Sequence, residues 1–123
     1  MLKIPAGDPK TTVKAAVAES LVKLGVYDEE WLNELNDKID GLNGEDLFAE
    51  IMRQKYIALY KQIETYNDWR RTGYPVLEPA AYAATVDGKL PRRYPYPTSE
   101  RIYNGDNMPQ GLTISSRVWW DAN

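Results

Sequence analysis

Two short runs concentrate the side chains that can do chemistry. The first, YNDWRRTGYPVLEP (residues 66–79), sets Trp69, Arg70, Arg71 and Tyr74 within six positions. The second, LPRRYPYPTSE (residues 90–100), repeats the theme with Arg92, Arg93, Tyr94 and Tyr96. A guanidinium forms paired hydrogen bonds to carboxylates or single bonds to carbonyls. A tryptophan or tyrosine face stacks on a ring, and its polar edge fixes the ring's orientation. Two readings therefore stand for each residue. Trp69 either anchors a loop to the core or touches ligand, and anchoring is favoured. The arginines either pair with Asp68, Glu64 or Asp121 or reach an outside partner, and pairing is favoured. Tyr74, Tyr94 and Tyr96 each precede a proline, which biases them to extended backbone. They read as a clamp across a helical surface, or equally as a preorganised recognition surface. Trp119 and Trp120 point to opposite sides if extended. One then suits the core and the other a neighbouring domain.

Catalytic and metal readings are weak. The chain has no cysteine and no histidine. Thiol nucleophiles, thiolate metal sites and the commonest general base near neutral pH are therefore excluded. Asp28, Glu29, Glu30 and Glu34 more simply cap and solubilise a helix than hold a cation. Asn104, Gly105, Asp106 and Asn107 form a turn sequence without the twelve-residue calcium-loop pattern. Glu64 and Asp68 stand four apart on one helix, with no sign of the opposed geometry that glycoside hydrolysis needs. No cofactor is expected.

Length and charge bound the rest. A chain of 123 residues makes one small domain or a fragment of a larger one. Residues 1–66 carry 8 basic and 12 acidic side chains, and residues 67–123 carry 7 and 6. Without a basic excess, a nucleic-acid-tracking surface is not expected. No apolar run is long enough to cross a bilayer, and MLKIPAGDPK lacks a signal peptide's apolar core.

The elements that position these residues follow from periodicity and punctuation. Residues 8–72 read as helical. Asp8 caps a first helix with Pro9 in its first turn, or Thr11 serves instead, and Gly25 ends it. Asp28 caps a second helix that buries Trp31, Leu32, Leu35 and Ile39. Gly41 and Gly44 bracket a break, and the two helices read as an antiparallel pair. A longer helix from about Glu45 to Tyr66 or Arg70 carries Leu47, Phe48, Ile51, Met52, Ile57, Leu59 and Ile63 inward, with Gln54 on an exposed flank. Its acidic start, Glu45, Asp46 and Glu50, suits the helix dipole. Six of the eight prolines follow Gly73, so residues 73–123 read as Pro-rich loops and a docked tail. A short helix over Glu78–Thr85 is expected, and RVWWD (117–121) reads as a strand or an extended docked segment.

The ordered set EIMRQKYIALY (50–60), YNDWRRTGYPVL (66–77), LPRRYPYPTSE (90–100), Asn104 with Asn107, and RVWWD (117–121) resembles the C-terminal portion of SusD/RagB-like outer-membrane nutrient-binding lipoproteins of Bacteroidetes. The resemblance runs from Glu50 to Asp121. It implies a mainly α protein of helix-turn-helix pairs, part of a tetratricopeptide-like scaffold, with a Pro/Tyr-rich extended C-terminal segment. It also implies non-catalytic capture of a glycan or other nutrient at the extracellular face of the outer membrane. A SusC-like TonB-dependent transporter is the implied partner. Family members are much longer and carry an export signal and a lipidated cysteine, so this chain is expected to be a C-terminal fragment, a truncated gene product or a separately expressed domain, supplying scaffold or partner contacts. The other reading is a small helical protein-interaction module without glycan specificity.

Overall fold

The computed structural model describes residues 7–80 and 88–121. The protein is mainly α-helical, and no strand occurs among the described residues. The helices are α1 (Pro9–Leu24), α2 (Glu29–Gly41), α3 (Gly44–Ala58), α4 (Ile63–Thr72) and α5 (Thr98–Tyr103), followed by a 3-10 turn at Gly105–Asn107. The chain forms two compact units, residues 1–66 and 67–123, with the boundary inside α4.

The first unit is built on α1, α2 and α3. Asp8 caps α1 by accepting from the Thr11 amide at 2.9 Å, with Pro9 in the first turn. Gly25 ends the helix at φ 70°. Its amide donates to the Val22 carbonyl and that of Val26 to the Leu21 carbonyl, which is the Schellman closure. Asp28 caps α2 through the Trp31 amide at 3.0 Å. Leu32, Leu35 and Ile39 of α2 meet Val17 and Leu47 in a buried cluster, edged by Val13, Leu21, Leu42 and Ile51. The pair is antiparallel: near the start of α1, Lys10 donates to the Asp40 carbonyl at 2.8 Å and Lys14 pairs with the Asp40 carboxylate at 2.6 Å.

Several inward assignments shift. Trp31 is 42% exposed, because the stripe 32, 35, 39 turns the preceding position away. Phe48, Ile57 and Ile63 are also exposed, whereas Glu50 and Gln54 are buried. The buried residues of α3 thus mix Leu47 and Met52 with two polar groups, Glu50 three and Gln54 seven residues after Leu47. Glu50 does more than complement the helix dipole. It accepts from Lys38 of α2 at 2.9 Å, from Arg53 at 2.6 Å and from Gln54 at 2.8 Å. These donors, Arg53 foremost, hold its carboxyl down at about 2 against burial, which pushes the other way.

The expected long helix is two helices. After Ala58 the bonding tightens to i→i+3, with Tyr60 donating to Ile57 and Gln62 to Leu59. Between them Lys61 takes φ 69°, a left-handed conformation that ends α3 and frees the chain to start α4. Residues 78–80 carry no helix, and 81–85 of that expected helix lie outside the described residues.

Candidate functional site

Asn67–Asn123 form the second unit. It begins with the end of α4. Gly73, at φ 78°, closes the helix by donating to the Trp69 carbonyl at 2.8 Å. The Thr72 hydroxyl donates to the Asp68 carbonyl at 2.7 Å and accepts from the Tyr74 amide at 3.1 Å. The Tyr74–Pro75 peptide is cis. The Thr72 and Gly73 bonds close the last turn of the helix, which carries Trp69 and Arg70.

Trp69 is buried at 7% exposure. The Arg92 guanidinium lies 4.6 Å from its ring centroid, and that of Arg70 lies 4.3 Å from the Trp120 ring. The two arginines are also tied to each other's backbone. Arg70 donates to the Arg92 carbonyl at 2.7 Å, and Arg92 reaches the Arg70 carbonyl at 3.5 Å. Arg70 additionally donates to Asn67 at 3.1 Å. Arg92 pairs with Asp121, whose side chain is fully buried. The amides of Arg92 and Arg93 share the Ile114 carbonyl at 2.7 and 3.1 Å. Three distant segments, 67–72, 91–93 and 118–121, are thereby joined by charge, ring face and backbone at once. A guanidinium over an indole is favourable and more so when desolvated.

The remaining sequence candidates lie elsewhere. Arg71 pairs with Asp68 one turn back and is largely exposed. Arg93 lies over the Tyr96 ring, 5.2 Å from its centroid. Tyr94, expected as half of a clamp, is 89% exposed, and Trp119 is 95% exposed. RVWWD is neither strand nor extended: Asp121 donates its amide to the Val118 carbonyl at 3.0 Å, which turns the segment. That turn sends Trp119 to solvent and Trp120 onto Arg70. Asn104–Asn107 form a turn, with Asn107 donating to the Asn104 side chain at 2.6 Å. Among the described residues no group of acidic side chains is placed to hold a metal ion.

Sequence reading passed over two features. One is α5, started by Pro97 and ended at Tyr103 with Glu100 in its first turn. The other is a cleft of 280 Å³ whose lining includes Tyr96, Met108, Leu112 and Ile114 together with Arg93 and Arg101. Its lining is spread over some twenty residues without a periodic pattern, so no motif announced it.

Residues 7–97, well over half of the chain, match the model of the SusD-like_2 family, described as starch-binding associating with outer membrane. The match takes in α1 and α2, which carried no motif of their own, and stops short of RVWWD. No curated protein and no solved structure matches the chain. With that match across α1 to α4 and both Arg-Arg runs, the chain belongs to the SusD-like_2 family.

Proposed function

We propose that the chain takes part in non-catalytic capture of a glycan or other nutrient, in the setting of a full-length SusD-like protein at the extracellular face of the outer membrane. Ligand then passes to a SusC-like TonB-dependent transporter, and this portion supplies scaffold and partner contacts. The observation that carries the reading is the family match over residues 7–97. The second unit supports the assignment of scaffold. The faces of Trp69 and Trp120 are covered by Arg92 and Arg70, and those two guanidiniums donate to each other's carbonyls, to Asn67 and to Asp121. Tyr94 and Trp119 keep their faces exposed, which suits stacking on a sugar or on a neighbouring protein.

The test is a calorimetric titration of this chain and of the full-length protein with maltooligosaccharides and a wider glycan panel. Binding by the full-length protein is expected. Failure of every glycan to bind the full-length protein, alongside saturable association with a protein partner, would replace capture with a helical interaction module. One observation favours that second reading: Val22, Leu24, Trp31 and Ile57 stand exposed on the helices of the first unit.

A further inference from the structure

Apart from Arg117, the arginines of the second unit divide into two classes. Arg70, Arg71 and Arg92 each reach a carbonyl or carboxylate. Arg93 and Arg101 reach no carboxylate among the described residues. Arg93 lies against the Tyr96 ring, and Arg101 donates to the Thr98 hydroxyl at 3.3 Å. The nearest acid in sequence, Glu100, accepts from Asn104 at 2.5 Å. Both guanidiniums line the 280 Å³ cleft, and among the described residues no acidic side chain does. Most of its lining is apolar, from Tyr96, Met108, Leu112 and Ile114, and serves as its floor for an occupant. Met adapts its shape to varied apolar partners.

We infer that this cleft is a docking site for a protein segment that carries an acidic side chain next to an aliphatic one. The aliphatic group fills the floor, and the carboxylate takes the guanidinium donors of Arg93 and Arg101. Charge complementarity selects the anion. The apolar floor selects a hydrocarbon side chain over a sugar, because sugar hydroxyls placed there would lose water without gaining partners. Arg93 already lies over Tyr96, which further disfavours a sugar ring stacked on it. The inference is independent of glycan capture, which would use other surfaces.

The test uses the full chain and a fluorescein-labelled hexapeptide of alternating aspartate and leucine, read by fluorescence anisotropy. Three controls accompany it: the lysine–leucine peptide, an aspartate–serine peptide and an unlabelled oligogalacturonate as competitor. Saturable binding of the aspartate–leucine peptide alone is expected, weakening as salt rises. Arg101→Gln, on an exposed position, should weaken it about tenfold, the loss of one charge-assisted contact. Arg93→Gln should act likewise, with unchanged circular dichroism as the check on folding. Leu112→Asn should weaken it without altering the salt dependence. The inference is overturned if the lysine–leucine or aspartate–serine peptide binds as well, if Arg101→Gln leaves affinity unchanged, or if oligogalacturonate displaces the peptide and binds more tightly.

Discussion

We predict that Arg92→Met destabilises the second unit far more than removal of Arg92 and Asp121 together. The Asp121 side chain has no solvent exposure, and Arg92 is itself only 17% exposed. The second carboxylate oxygen, Oδ2, has no hydrogen-bond partner. With Arg92 gone, a buried carboxylate therefore retains almost nothing that compensates its charge. Breaking a buried pair on one side costs about 3–5 kcal/mol, whereas replacing both partners by apolar groups of similar volume is often neutral or stabilising. Methionine keeps hydrocarbon over the Trp69 ring, so the loss reports the charge rather than the packing. At a urea dependence of about 1–2 kcal/mol per molar, a loss of about 3 kcal/mol moves the midpoint down by about 2 M. The assay is urea unfolding followed by tryptophan fluorescence, for the wild type, Arg92→Met, Asp121→Leu and the double variant. The double variant should recover most of the loss, giving a coupling of the sign expected for residues in contact. Equal destabilisation by Arg92→Met and by the double variant would show that Arg92 acts through Trp69 and the Arg70 carbonyl, and the buried-charge reasoning would fail.

Three further outcomes are expected. Trp69→Ala removes a buried ring and should cost about 3–5 kcal/mol, seen as a large fall in the denaturation midpoint; unchanged stability with lost ligand binding would make Trp69 a recognition residue. Glu50, held at about 2 against an ordinary 4.5, stabilises the folded chain fully above pH 4.5, and this contribution is lost as pH falls through about 2. The difference amounts to about 3 kcal/mol, and to about 1–2 kcal/mol once screening of the half-exposed Lys38 and Arg53 is allowed for, so Glu50→Gln should flatten the acid limb of a stability–pH curve. Lys61→Gly relieves a left-handed backbone at φ 69° and should raise the unfolding free energy by up to about 1 kcal/mol, whereas Lys61→Val should lower it, both read from urea unfolding.

The first two helices were legible because their ends are written in local chemistry. Asp8, Pro9, Gly25 and Asp28 each act within four residues of themselves, and a sequence displays such bonds directly. The α3–α4 break was not, since neither glycine nor proline marks Lys61. The interior of α3 misled for a related reason. Glu50 and Gln54 look like surface residues until Lys38, twelve positions before Glu50, is known to reach Glu50, to which Gln54 also donates. In the second unit, residue types pointed to Trp69 and the paired arginines, but not to which arginine takes which partner. Arg92 and Asp121 stand 29 residues apart, and nothing in either motif distinguishes Arg92 from Arg93. The cleft edged by Arg93 and Arg101 depends on where α5 and the Ile114 turn come to rest, which no spacing encodes.

The contacts at the end of the described chain also act as a register. Trp120 covers Arg70, and the next residue, Asp121, pairs with Arg92. Slide the segment by one position and Trp119 would arrive over Arg70 with Trp120 at Arg92. An indole would still cover Arg70, so that stacking by itself scores both alignments almost alike. The carboxylate breaks the tie, because only one alignment delivers it to a guanidinium inside the fold. A neutral Asn at position 121 would keep the shape of the lock and lose the tooth that tells it which of two neighbouring tryptophans has been inserted.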